Sequence, residues 1–478
     1  MLDVVNLART AERSRVVLRP GFQRLVSRAA VQAVEERLSA LRMDPERRPD
    51  PNACTLAAAC VGDPRLNSFG TNPDAIVRPA LFTARSGATL SGHLWAMRNG
   101  PARKPLVVIV NGSLIDFEQG HWPQAQSLAK AGYVVLTFDP QGEGMSDQFG
   151  EGRDRLDSVG AGLPGLPDNG RPFYDGAADA LDFALSRPGH RYVPAPSSGS
   201  DLSHAAKQRR RVAAGLNAPF NPLWRMVDRS AVGLTGYSYG AVAASYVAQA
   251  DRRVSAVVAW DSLCYPVQPS TDEVRGLFFS NATSLLPGIT APLAAQIPRD
   301  CFGAAPGRQP RPHAAALGIS GDFVLPGLVQ STQPGAKAAA SKRYSRRGVD
   351  SGQIVIQGAT HADFVFDASV AVLPARLRGL DLTIWYTLAW FDKYLKHERS
   401  ADRRLLTRRW QSDAASAAVD PVGDGNLISQ LFDSRFDIHV NGRRWVCEDV
   451  RIGCQGMRAN DGRGHFDYVD FVTARPDN

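Results

Sequence analysis

The sequence predicts an α/β fold, with a mostly parallel central sheet covered by helices on both faces. Three observations lead there. Unbroken apolar runs, among them Pro105–Val110, Tyr133–Phe138 and Val254–Trp260, have the composition of strands buried on both faces. Segments with helical spacing, such as Phe173–Ser186 and Leu382–Lys396, alternate with such runs. Consecutive parallel strands need crossover helices, so the alternation selects a parallel sheet.

Composition sets the outer bounds. The 478 residues are 44% hydrophobic and 21% charged, the balance of an ordinary globular chain. No run approaches the about 20 apolar residues of a membrane span. The net charge of +8 is spread along the chain. Its one dense cluster, Lys207-Gln-Arg-Arg-Arg211, lies in a polar stretch and reads as a solvated surface loop, so no nucleic-acid partner is expected.

Taken in order, residues 1–74 form an N-terminal extension. Leu25, Val34, Leu38 and Leu41 have helical spacing, and Arg47-Arg-Pro-Asp-Pro51 reads as a linker. Residues 75–399 hold the α/β alternation. Ala75–Ala84 and Thr89–Arg98 read as antiparallel strands joined at Ser86-Gly87. Pro105–Val110, helix Gln124–Ala131 and strand Tyr133–Phe138 follow, then helix Phe173–Ser186 and a polar, loop-rich stretch over 188–228. Later strands are expected at Val254–Trp260, Ala314–Ser320 and Gln353–Gln357, before the helix Leu382–Lys396. Residues 400–478 read as a small β-containing appendage. Asn441-Gly442 is a hairpin signal there, and His465–Val472 alternates with period two.

The cysteines pair most economically as Cys54 with Cys60, Cys264 with Cys301, and Cys447 with Cys454. Three disulfides would suit a secreted or periplasmic protein. The N-terminus, however, lacks a charged segment followed by a long apolar one, so free thiols in a cytoplasmic protein stay open. No cysteine–histidine spacing suggests a metal site.

The chemistry centres on Gly236-Tyr-Ser-Tyr-Gly240, between an apolar strand-like run and an Ala-rich helix-like one. Strand, G-x-S-x-G, helix is the setting of a nucleophile elbow, which makes Ser238 the nucleophile. A serine hydroxyl needs a base, and the base needs an orienting carboxylate. His361 is the base candidate, in a loop after the strand Gln353–Gln357. Asp322 after Ala314–Ser320 is the favoured acid, with Asp261 after Val254–Trp260 as the alternative. The N–H groups of Tyr239 and Ser113 are the expected oxyanion donors. Tyr237, Trp260 and Leu114 are candidates for substrate contact.

These residues resemble the α/β-hydrolase superfamily of serine hydrolases. The likeness spans about residues 75–398, and is nearest to dienelactone-hydrolase-like and related esterases. It rests on Asn111-Gly112-Ser113, where the family often has His-Gly-x, and on Phe138-Asp-Pro-Gln-Gly-Glu-Gly-Met-Ser-Asp147, Gly236–Gly240, Gly321-Asp322 and Ala359-Thr360-His361. It implies an α/β-hydrolase domain over 75–399 with a lid insertion at about 262–313, where Phe278, Phe279, Leu285, Leu286 and Leu293 lie. The implied activity is hydrolysis of a small carboxylic ester with a hydrophobic part, through an acyl-enzyme and without a cofactor. A peptidase, lactonase or acyltransferase would use the same machinery, and a binding protein on this fold would not need it.

Overall fold

The apolar runs assemble into a ten-stranded mixed sheet in the order β1-β2-β4-β3-β5-β6-β7-β10-β12-β13. In chain order the strands are β1 (Ala75–Thr83), β2 (Thr89–Met97), β3 (Lys104–Val110), β4 (Val134–Phe138), β5 (Val227–Tyr237), β6 (Val254–Trp260) and β7 (Ala315–Gly321). The short β8 (Phe323–Leu325) and β9 (Val329–Gln330) pair with each other, and β10 (Ser351–Ile356) returns to the main sheet. After it come β11 (Thr407–Arg408), β12 (Arg435–Val440), β13 (Arg443–Cys447) and β14 (Arg458–Ala459), with β11 paired to β14. The computed structural model describes residues 69, 72–113, 116–156, 171–261, 263–266, 301, 309–321, 323–325, 329–330, 338–356, 361–365, 377–408, 434–450, 454–456 and 458–459. The expected N-terminal helix, Cys54 and Cys60, most of the 262–313 insertion and the strand at His465–Val472 lie outside them.

β4, β3, β5, β6, β7 and β10 run parallel, and antiparallel pairs close both ends of the sheet. Side chains alternate through it. Leu106, Val108 and Val110 pack on one face with Leu136, Leu234 and Val257, under α2 (Arg171–Leu185). Val107 and Ile109 pack on the other with Val258, Leu317 and Ile354, under α1 (Trp122–Lys130). Each fully buried aliphatic side chain contributes about 1.5–3 kcal/mol relative to exposure. The remaining helices are α3 (Ala205–Ala213), α4 (Tyr239–Ala250), α5 (Ala339–Arg346), α6 (Leu377–Tyr394) and α7 (Ser400–Leu405). Among the described residues no helix is long and apolar enough to cross a membrane.

Two expectations change. The basic cluster Lys207–Arg211 lies on α3 rather than in a loop, and Lys207 is tied to Glu151 at 3.3 Å and to the Gly87 carbonyl at 2.5 Å. The Asn441-Gly442 hairpin forms, with both residues at positive φ (50° and 75°), but β12 pairs with β10 and so extends the main sheet. Only part of the C-terminal region is thus separate from the alternation.

Two cysteine pairs sit at disulfide distance, Cys264–Cys301 and Cys447–Cys454, with Cα separations of 5.2 and 5.6 Å. Cys264 is anchored from two sides, since its N–H donates to Ser245 Oγ of α4 (3.4 Å) and its carbonyl accepts the Tyr344 hydroxyl of α5 (2.9 Å). Closing the 37-residue separation between Cys264 and Cys301 removes about 4 kcal/mol of unfolded-chain entropy in the loop-closure account. Titration of denatured, unreduced protein should therefore find at most the two thiols of Cys54 and Cys60, and all six cysteines only after reduction. Four or more thiols before reduction would contradict these pairs.

At the C-terminal edge of β4, Asp139 closes the turn that follows. Its carboxylate accepts the N–H groups of Glu118 (2.8 Å) and Met145 (2.9 Å). Burial, reinforced by the Glu118 charge, pushes it up to about 7. His93 Nδ1 lies 2.6 Å from Glu118; burial works to lower the imidazole, but the bond and charge of Glu118 outweigh it and hold it above its usual value. Both groups bind protons more tightly folded than unfolded. The contribution of Asp139 is complete below about pH 4 and is lost as pH rises from there through about 7, and that of His93 is lost as pH rises past the usual imidazole value. Melting temperature should fall as pH rises from about 4 to about 7, and Asp139→Asn should flatten that fall. An unchanged slope in the variant would assign it to other groups.

Candidate active site

β5 ends at Tyr237 and α4 begins at Tyr239, so Ser238 alone reverses the chain. It does so at φ 54° and ψ −119°, a conformation that costs a residue with a Cβ on the order of 1–3 kcal/mol. The flanking glycines permit it. A Cβ at Gly236 would lie 2.5 Å from the Gly240 carbonyl oxygen, and one at Gly240 would collide with the carbonyl oxygens of Val110 and Asn111. The backbones of β3, β5 and α4 therefore meet with no side chain between them. The Ser238 N–H donates to the Trp260 carbonyl of β6 (3.0 Å), and its hydroxyl stands at the positive end of the α4 dipole.

The parallel register brings the acid to this turn. Tyr237 is opposite Trp260, so Ser238 and Asp261 are the first residues beyond adjacent strand ends. Asp261 turns into the left-handed region at φ 66°. Its N–H donates to the Ile319 carbonyl (2.6 Å), and its Oδ1 accepts the Gly321 N–H (3.2 Å). Its Oδ2 meets His361 Nδ1, while His361 Nε2 lies 2.9 Å from Ser238 Oγ. A carboxylate only accepts, so the imidazole proton sits on Nδ1 and Nε2 is left to accept from the hydroxyl. The Asp261 side chain is 5% exposed and that of His361 32%, which shields the carboxylate and leaves the imidazole an open edge.

The carboxylate on Nδ1 is that of Asp261, the alternative of the sequence reading; the favoured Asp322 lies outside the described residues. Asp261 follows β6, which adjoins β5, and the register of that pair sets it beside Ser238.

His361 opens a 3-10 turn, His361–Phe364, after β10. Its backbone carbonyl accepts the Tyr237 hydroxyl (2.7 Å), and its ring stacks on Tyr237 with centroids 4.7 Å apart. Gln124 of α1 holds the far end of the turn by donating to the Phe364 carbonyl (2.8 Å).

The loop Asn111-Gly112-Ser113 leaves β3 directly against Ser238. A Cβ at Gly112 would lie 3.1 Å from Ser238 Cβ. The Gly112 N–H donates to the Asp116 carboxylate, and among the described residues nothing accepts the N–H of Ser113. Tyr239 supplies the first amide of α4, while its ring packs on Phe173 (4.9 Å between centroids) and burial pushes its phenol well up. Both expected oxyanion donors therefore belong to segments flanking Ser238.

The remaining candidates divide. Trp260 is 0% exposed and donates to Thr387 Oγ1 (2.9 Å), and Tyr237 is 6% exposed with its hydroxyl on the His361 backbone. Both hold the site from beneath rather than line an opening. Leu114 lies outside the described residues. Sequence reasoning missed Gln124, Asp116 and His121. The available signal for Gln124 was a long polar side chain among the small and apolar buried residues of α1, beside Ala125 and Leu128.

No family model matches the chain, and no curated protein matches it. What the site can do follows from its atoms: a hydroxyl, a base able to take its proton, a carboxylate behind the base, and amides nearby for developing negative charge. The turn itself is testable without activity. Gly240→Ala should lower stability by about 3 kcal/mol or prevent folding, whereas Gly189→Ala, with nothing within 4 Å of the added methyl, should change little. Equal melting temperatures for the two variants would contradict the described contact.

Proposed function

We propose that this protein is a serine hydrolase on an α/β-hydrolase fold, cleaving a carboxylic ester through an acyl-enzyme. The observation that supports it best is the continuous line Ser238 Oγ, His361 Nε2, His361 Nδ1, Asp261 Oδ2 on a strained strand-to-helix turn. The parallel strand order β4-β3-β5-β6-β7-β10, with an antiparallel β1-β2 at one edge, also supports this fold. A binding role alone would not call for a serine held in strain against a base.

The steps follow from the geometry. Ser238 Oγ attacks the ester carbonyl carbon as His361 Nε2 takes the hydroxyl proton. Asp261 stabilises the imidazolium that forms. The carbonyl oxygen, now negative, is held by the Ser113 and Tyr239 N–H groups; one such donor is typically worth about 10²–10³ in rate. The intermediate collapses as His361 returns its proton to the leaving alkoxide. Water then attacks the acyl-serine with the same base, releasing the acid and restoring Ser238. The triad itself needs no metal or organic cofactor. The two cysteine pairs support an oxidising compartment, secreted or periplasmic, as the place of action. The insertion at 262–313, with its apolar residues, favours an ester with a hydrophobic part.

A panel of p-nitrophenyl esters, with amide and lactone counterparts, tests this. Ser238→Ala should lower kcat on the best ester by on the order of 10⁶. Asp261→Asn should lower it by on the order of 10⁴, and Asp322→Asn far less. Undiminished turnover by Ser238→Ala would overturn the proposal. A preference for amides or lactones would redirect it to a peptidase or lactonase using the same atoms.

A further inference from the structure

Asp116 and His121 form a buried pair directly behind the loop that faces Ser238. Asp116 is 5% exposed and His121 0%. One carboxylate oxygen of Asp116, Oδ2, takes two bonds, from the Gly112 N–H and from His121 Nε2 at 2.8 Å. Because that oxygen accepts the Gly112 amide, His121 is the donor at Nε2. The imidazole is wedged between aromatic rings, 5.6 Å from Tyr237 and 5.7 Å from Trp260 by centroid. Tyr237 is the residue that holds His361 through its backbone.

The pair is costly to keep. Among the described residues, Asp116 Oδ1 and His121 Nδ1 are buried without a hydrogen-bond partner, as is Oδ1 of the neighbouring Asn111. Unsatisfied buried polar atoms are rare, and each asks for an explanation. Purely structural packing at this place would be served by apolar side chains. The carboxylate does something an apolar group cannot: it fixes the direction of the Gly112 amide. With that N–H turned onto Asp116, the donor the loop has to offer toward Ser238 is the next amide, Ser113.

We propose that Asp116, held by His121, is a positioning residue for the oxyanion loop, committing the Gly112 N–H to its carboxylate so that the Ser113 N–H serves the reaction. The role rests on the proposed ester chemistry. Neither side chain touches the reacting atoms. Both act through the backbone at 112–113, so their loss is felt when charge develops on the carbonyl oxygen and not when the neutral ester binds.

The test uses the full-length chain and the best ester of the panel. Asp116→Leu, which keeps bulk but cannot accept, should lower kcat by about 10² with KM within about twofold, the signature of a lost transition-state interaction. Asp116→Asn retains one oxygen able to take both bonds and should recover most of that loss. His121→Phe keeps the ring between Tyr237 and Trp260 and should show a milder loss of the same kind. Inhibition by a trifluoromethyl ketone, which forms the tetrahedral oxyanion on Ser238, should weaken in proportion to kcat across the series. Ester affinity measured in the Ser238→Ala background should not follow it. Full kcat in folded Asp116→Leu, or losses confined to KM and melting temperature, would overturn the role. If Asp116→Leu does not fold, Asp116→Asn and His121→Phe still decide, through whether the ketone constants track kcat. An active Ser238→Ala would bring down the ester chemistry and this role together, whereas an inert Ser238→Ala beside a fully active Asp116→Leu would bring down the role alone.

Discussion

The contact on which the rest depends is the meeting of three backbones at Gly236 and Gly240. β3, β5 and α4 approach until carbonyl oxygens occupy the space of a methyl group. That approach leaves Ser238 no ordinary conformation. Strain of this kind persists only where the surroundings over-determine it, and here a parallel sheet buried on both faces does so. The same approach sets the loop after β3 against the serine, and the register of β5 on β6 sets Asp261 at its side. One close packing of main chain thereby governs where the Ser238 hydroxyl, the Asp261 carboxylate and the loop after β3 stand.

Carboxylates recur along this edge of the sheet in a common use. Asp116 takes the Gly112 amide, Asp139 takes those of Glu118 and Met145, and Asp261 takes that of Gly321. Each is buried, and each fixes a turn that leaves a strand end. Loops at a strand edge lack ladder partners, and an acidic side chain supplies the acceptor that a neighbouring strand would have given. Only Asp261 among them also faces the imidazole beside Ser238.

What the sequence disclosed follows the range of the forces involved. Strands such as Leu106–Val110 were legible because burial on both faces writes itself into consecutive residues. The turn at Ser238 was legible because its steric demand falls on glycines two positions away. The placing of Asp261 beside Ser238 was not, since it depends on Tyr237 lying opposite Trp260, a pairing between strands with no local mark. The attachment of β12 to β10 was hidden for the same reason, although Asn441-Gly442 announced the hairpin. On α3 only Ala205 and Gln208 are buried, a stripe too thin to show helical periodicity among basic residues. Tyr237 and Trp260 read from sequence as candidates for substrate contact, but sequence does not say which way a side chain at a strand end points.

The anchoring of Cys264 has a bearing on how this protein changes over time. Asp261 and Cys264 stand three positions apart, and Cys264 is bound to the helix that carries the serine, to the helix before β10, and to Cys301. The long segment between the two cysteines is closed at its base. Those anchors lie on α4, on α5 and at Cys301, so the position of Cys264, three residues from Asp261, does not depend on what the residues between the two cysteines become.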